Sequence, residues 1–385
     1  MDAERRGLRV LMTADTIGGV WPFAIELSTE LARGGNQVLL AAMGREPDAG
    51  QRRQAAAIRG LTLCARPYKL VWMGDPWSDL EASGRWLLEL AREFVPDVVH
   101  LNDLAHGELS WPAPVLVTAH SCVCSWWQAV HGVPAPPAWD RYRARVSACL
   151  HAADVVVAPS QAMLASVLRH YGPAAPSRAI HNGRTRASTA MQAREAKEPF
   201  VLGAGRLWDQ AKNLGALATI ASRLAWPVYL AGETRSPDGD VTEVAATHAL
   251  GRLPDGELRR WMARAAIYAL PARYEPFGLS PLEAAQCGCA LVLGDIASLR
   301  EVWDDAALYV APDDHAALAD ALRRLIEDAS LRATMAHRAQ ARALRYSPQA
   351  MARRYRAAYA DAMRAHARFE RPASRAPDIA IGAQA

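Results

Sequence analysis

The sequence runs twice through the same alternation: a short β-branched apolar run, then a segment with helical period. Strands are predicted at Leu8–Met12, Gln37–Ala42, Leu61–Ala65, Val98–Leu101, Val115–Thr118 and Asp154–Ala158. Val20–Arg33, Asp79–Phe94 and Gln161–Tyr171 carry apolar residues at helical spacing, the last with Ser160 as a natural N-cap. The stretch from Arg184 to Glu198 is polar, charged and aperiodic. A second series follows, with strands at Phe200–Ala204, Val228–Ala231, Ile267–Leu270 and Ala290–Leu293. Its helices are expected at Leu214–Leu224, Asp255–Ala266, from Pro281, and after Pro312. Such alternation builds βαβ units around a parallel sheet. The expected fold is therefore α/β, with two facing, Rossmann-like doubly wound domains and an interdomain cleft. The first covers 1–183, a linker 184–198, the second 199–345, and a C-terminal helix 346–370. The Pro- and Ala-rich tail 371–385 is expected to be disordered. Ligands of such sheets sit at the carboxyl ends of the strands, here in the cleft.

Several classes of protein are excluded. No apolar run approaches the roughly 18 residues of a membrane span. Met1–Arg6 lead into a strand-like run without the apolar stretch of a secretion signal, so a cytoplasmic setting and reduced cysteines are expected. The balance of 44 basic against 40 acidic residues is too even to indicate nucleic acid. Ala316 to Ala367 is helical in pattern and rich in Ala and Arg. It reads as amphipathic helices with solvated arginines, or as a peripheral contact with the inner membrane face. There are three lysines, Lys69, Lys197 and Lys212, and none has the Gly-Lys-Ser/Thr context of a phosphate-binding Walker loop. No metal site is expected: His120, Cys122 and Cys124 lack the spacing of structural zinc, and Asp238-Gly-Asp240 reads as a turn.

Three segments carry chemistry. The first strand ends in Thr13-Ala-Asp-Thr-Ile-Gly-Gly19, a glycine pair at a helix start where free N–H groups suit an anion; a packing role is the alternative. The second domain opens with Gly205-Arg-Leu-Trp-Asp-Gln-Ala-Lys-Asn213. There Arg206 and Lys212 either clamp a diphosphate or stand as solvated cations. In Glu275-Pro-Phe-Gly-Leu-Ser-Pro-Leu-Glu283, Ser280 fits an N-cap, Pro281 the first helical position and Glu283 the third, as in a capping box. Glu275 falls in the loop, where its carboxylate can accept hydrogen bonds from hydroxyls. His100 and His106 read as satisfied core histidines. Among Trp72, Trp77, Trp86, Trp111, Trp126, Trp127 and Trp139, one or two are expected to line a saccharide groove and the rest to pack.

The chain resembles the family 4 glycosyltransferases of the GT-B fold from about Val10 to about Asp328. The resemblance rests on EPFGLSPLEA at Glu275–Ala284. It is supported by GGVWPFAIELSTELARGGNQV, PDVVHLND, TAHS, ADVVVAPSQ, HNG and GRLWDQAKN in the expected order. It implies a retaining enzyme that moves a hexose from a nucleotide sugar to a hydroxyl of a saccharide or lipid-linked acceptor. No metal is implied, and no cofactor beyond a UDP- or GDP-hexose donor. Surface glycan or polysaccharide biosynthesis is the implied setting. Residues matching Arg206 and Lys212 contact the donor diphosphate. Those matching Glu275 and His120 contact the donor sugar, and the one matching Glu283 holds the ribose. Gly18 and Gly19 border the phosphates, and backbone at Phe277, Gly278 and Leu279 lies against sugar and phosphate. Two departures stand out: Ser121 replaces a frequent acidic residue, and Arg184-Thr185 replace Val-Asp after Asn182-Gly183. The alternatives are a non-catalytic or epimerase-type sugar-nucleotide-binding protein, a pyridoxal phosphorylase and a NAD-dependent oxidoreductase. The oxidoreductase lacks its Gly-x-Gly-x-x-Gly fingerprint here.

Overall fold

The computed structural model describes residues 7–172, 175–186, 196–235, 239, 242 and 245–369. The tail 371–385, most of the linker, and Asp238 and Asp240 lie outside the described residues. The first seven strands are β1 (Arg9–Asp15), β2 (Gln37–Met43), β3 (Leu61–Ala65), β4 (Val98–Leu101), β5 (Val115–Thr118), β6 (Val155–Ala158) and β7 (Ser177–Ala179). They form one parallel sheet in the order β3-β2-β1-β4-β5-β6-β7. The second sheet, also parallel, is built from β8 (Glu198–Ala204), β9 (Val228–Ala231), β10 (His248–Gly251), β11 (Ala265–Leu270), β12 (Ala290–Gly294) and β13 (Leu308–Val310). Its order is β10-β9-β8-β11-β12-β13.

The crossovers of the first half are α1 (Val20–Arg33), α2 (Ala49–Ala56), α3 (Trp77–Phe94), α4 (Val123–His131), α5 (Asp140–Ala152) and α6 (Gln161–Tyr171). The second half adds α7 (Gly215–Ile220), α8 (Asp255–Arg264), α9 (Leu279–Gln286), α10 (Ala297–Trp303), α11 (His315–Glu327), α12 (Ala329–Ala343) and α13 (Pro348–Phe369). Side chains alternate across a strand, so each sheet feeds two cores. Leu11, Leu39, Val99, Val117 and Val156 face one side of the first sheet. Val10, Met12, Val38, Val98, Leu116 and Val157 face the other.

The C-terminal helix is not a separate element. α13 returns to the first sheet and buries Met351, Tyr355, Ala358, Tyr359 and Ala362 against α1 and strands β4 to β6. His100 is fully buried there, bonded to Tyr359 Oη and Thr118 Oγ1 at 2.8 Å each. The apolar faces of α11, α12 and α13 are thus occupied by packing, through Leu318, Leu322, Leu325, Met335 and Tyr355, while Arg323, Arg324, Arg353 and Arg354 face solvent. Among the described residues no helix is long and apolar enough to cross a membrane.

In each sheet the strand order reverses once, between β1 and β4 and between β8 and β11, which opens a crevice at the carboxyl ends. The two crevices face each other. A Cβ placed on Gly18 would stand 3.5 Å from Arg206 Nη1, and one on Gly19 would stand 3.7 Å from Leu279 Cδ1.

Candidate active site

The first-domain wall is a polar network on the ends of β1, β4 and β5. Thr13 Oγ1 donates to Asp103 Oδ2 at 2.9 Å, and Asn102 Nδ2 donates to the Thr13 carbonyl at 2.8 Å. That bond fixes the amide, so Asn102 Oδ1 accepts from His120 Nε2–H at 2.9 Å. Burial holds the His120 pKa down at about 3, so the ring is neutral. Its Nδ1 therefore carries a lone pair, the right group to accept a sugar hydroxyl. Asp103 also takes His106 Nδ1 at 2.7 Å, and His106 Nε2 meets the buried Ser83 hydroxyl at 2.9 Å. Burial pushes the Asp103 carboxyl up, but His106, the Ala105 N–H and the Thr13 hydroxyl together outweigh it and leave the group below its usual range.

The glycine pair is shaped by a residue that local reading passed over. Asp15 Oδ1 accepts from the N–H groups of Ile17 and Gly18 at 3.0 and 2.9 Å. Two of the donors expected to meet an anion are thus already satisfied. The start of α1 keeps Gly19 as its N-cap with no side-chain cap, and Arg206 supplies the positive charge beside it.

The second-domain wall is set by the loop after β8. Arg206 Nη2 donates to Asp209 Oδ2 at 2.6 Å, and Lys212 Nζ donates to Glu275 Oε2 at 2.5 Å. Burial raises Asp209, but Arg206, Lys212 and the Trp126 indole N–H together bring it below the ordinary carboxylate range. Asn213, at φ 53°, pins the loop by donating to the carbonyls of Pro271 and Pro312 at 2.8 and 2.7 Å. Glu275 Oε1 accepts from the Gly278 N–H at 3.1 Å, and the Ser298 hydroxyl holds its carbonyl at 2.5 Å. Arg206 and Lys212 therefore both lie close to Asp209, and Glu275 is oriented by a cation and a backbone donor.

The expected capping box does not form. α9 begins at Leu279 with Gly278 as N-cap at φ 94°, and no side chain caps it. The Ser280 hydroxyl instead accepts from Tyr268 at 2.8 Å. Glu283 turns to Arg184, whose Nε donates to Glu283 Oε1, with Arg259 3.6 Å away. Its Oε2 has no partner among the described residues. The Phe277 side chain is buried against Tyr346 and His181, so it is turned away from the cleft, which this segment borders through its backbone and the Leu279 side chain.

Arg184 itself is a correction. Read as part of a polar linker, it is buried between Glu26 of α1 at 3.2 Å, Asp255 at 3.5 Å and Glu283. Asp209 carries no role in the sequence reading, and Trp126, one of the tryptophans considered for a saccharide groove, instead sends its indole N–H across the cleft to Asp209 Oδ1 at 3.0 Å. Asn102 and Asp103 carry no role of their own in the sequence reading either, and their place directly after β4 is the signal that marks them. His120, Cys122 and Cys124 form no metal-binding group among the described residues.

Two cations at one strand end, oriented hydroxyl acceptors on both walls and two facing switch points are suited to a phosphorylated sugar. The comparisons agree. A family model described as Glycosyltransferase Family 4 matches residues 17–185, and one described as Glycosyl transferases group 1 matches 198–328. Glycogen synthase of Mycobacterium tuberculosis is 27% identical over 370 residues, covering 83% of this chain and 86% of that protein. Sucrose-phosphate synthase of Thermosynechococcus elongatus superposes with a TM-score of 0.76 at 19% identity, covering 93% of this chain and all (100%) of that one. Anabaena HepE, solved with UDP and glucose, superposes at 0.68 with 17% identity over 92% of this chain and 99% of its own. The two parallel sheets, the facing crevices and the two matched halves make this chain a family 4 glycosyltransferase of the GT-B fold.

Proposed function

We propose that the enzyme transfers a hexose, with retention and without a metal, from a nucleoside-diphosphate sugar to a hydroxyl of a saccharide or lipid-linked acceptor. The setting is cytoplasmic assembly of a surface glycan or polysaccharide. The observation that carries this reading is the convergence of Arg206 and Lys212 around Asp209 opposite Gly18. The similarity to glycogen synthase over most of both chains supports a saccharide acceptor, and the HepE complex supports a UDP-hexose donor.

The charge on a leaving diphosphate grows as the glycosidic bond stretches. A cation about 4 Å away contributes roughly 4 kcal/mol at an effective dielectric near 20, and it is already in place when the charge develops. Glu275 and the His120 Nδ1 lone pair accept hydroxyls of the sugar, and the open Oε2 of Glu283 accepts from the ribose. The acceptor hydroxyl attacks the same face that the diphosphate leaves, and a diphosphate oxygen takes its proton.

The test is to incubate the enzyme with UDP-, GDP- and ADP-hexoses and oligosaccharide acceptors in EDTA, and to assign the new anomeric centre by NMR. Retained configuration is expected, and Arg206→Ala is expected to lower turnover about a hundredfold or more. Inversion, or full loss of activity in EDTA, would overturn the corresponding part of the reading. Donor binding without any turnover would favour a non-catalytic subunit.

A further inference from the structure

Trp126 belongs to α4 in the first domain, yet its indole N–H is given to Asp209 in the second. Asp209 is 4% exposed and its two oxygens divide the work. Oδ1 accepts from Trp126 at 3.0 Å and from the Ala211 N–H at 3.0 Å, while Oδ2 accepts from Arg206 Nη2 at 2.6 Å. An indole nitrogen is a donor only, so Asp209 Oδ1 is the acceptor in this contact. The guanidinium is thus held by one arm, and its Nη1 is directed toward Gly18 across the cleft. If the domains part, Oδ1 loses a donor on the open side. With the Ala211 N–H as the one remaining donor on Oδ1, the carboxylate is less restrained and can turn toward the fork of Arg206, the arrangement an Arg–carboxylate pair favours, which draws Nη1 out of the cleft.

We propose that Trp126 is a positioning residue that acts through Asp209 on Arg206 and makes the diphosphate contact conditional on domain closure. This rests on the donor reading above. It makes the first domain, which contributes little charge to the phosphates, a determinant of how well the second domain holds them. It also places the clamp within reach of the acceptor side. Trp126 packs against Trp127 and His131, with ring centroids 6.1 and 5.6 Å away, so a molecule pressing on that helix bears on the same indole.

The test uses the full chain and titrates UDP, GDP, ADP and the matching monophosphates by calorimetry, in wild type, Trp126→Phe, Asp209→Asn, Arg206→Ala and the Trp126→Phe/Arg206→Ala double variant. For the base that binds best, the monophosphate-to-diphosphate ratio of dissociation constants should fall about tenfold in Trp126→Phe and in Asp209→Asn. Monophosphate affinity should move less than about twofold in both. The double variant should be no worse than Arg206→Ala alone, because the two act in series. Equal weakening of mono- and diphosphate, an unchanged ratio, or effects that multiply in the double variant would overturn the proposal. A wild type that binds none of the three diphosphates would instead overturn the donor reading itself.

Discussion

His120 is kept neutral by burial, with its pKa down at about 3 from an ordinary value of 6.5. Between those two values the unfolded chain binds a proton that the folded chain does not. Stability contributed by this site is therefore present above about pH 6.5 and is lost as pH falls toward 3. Burial moves His100 in the same direction. His120→Gln keeps a side-chain N–H for Asn102 and removes the titration. Urea melts between pH 6.5 and 4 should lose stability less steeply in this variant, and an unchanged slope would mean the folded ring is protonated. At this scale the sequence discloses charged residues whose spacing after a strand is local, as with Arg206 and Lys212. It does not disclose Arg184, because its partners Glu283 and Glu26 lie 99 and 158 positions away and nothing nearby marks them.

The same divide between local and distant partners separates what could be read of the elements. Central strands and amphipathic helices announce themselves by period, and β4 and β5 fall at the expected residues. The missed strands, β7, β10 and β13, are all sheet edges and only three or four residues long; β7 and β10 carry no apolar run, and the Leu-Tyr-Val of β13 is too short to show a period. The start of α9 was misplaced for another reason. Ser280 and Glu283 have capping-box spacing, but Tyr268 and Arg184 claim their side chains. The helix begins instead at a glycine in the left-handed region, φ 94° and ψ 70°. A Cβ on Gly278 would meet Leu299 Cδ2 at 3.2 Å and Pro281 Cγ at 3.3 Å. Gly278→Ala should therefore cost about 1–2 kcal/mol from the left-handed backbone. Because the Gly278 N–H also holds Glu275 Oε1, donor KM should rise as well. Urea unfolding and donor kinetics measure the two effects. Full stability in the alanine variant would mean that this turn relaxes without strain.

Across the whole molecule the two domains are joined on both sides of the cleft by groups with opposite physical characters. One set is directional and neutral or half exposed: Ser160 donates to the Pro276 carbonyl at 2.7 Å, and Glu301 accepts the first two N–H groups of α6 at 2.8 and 2.9 Å. The other is the buried Arg184 cluster, which ties Glu26 on the helix behind the glycine pair to Glu283 on the helix behind Gly278. Both ligand-facing helices are thus fixed to one guanidinium, and the Glu283 carboxylate is oriented by it. Arg184→Met leaves two buried carboxylates without their main cation, which typically costs about 3–5 kcal/mol. Arg259, 3.6 Å from Glu283, offsets part of that. The expected result is a Tm lower by several degrees, partly restored by adding Glu26→Gln, which removes the carboxylate that Arg259 does not reach. Recovery should be confined to stability. Donor binding should stay impaired in the double variant, since Glu283 has still lost the group that orients it. Recovery of both together would mean that the cluster serves the hinge alone and that Glu283 is positioned by α9 without help.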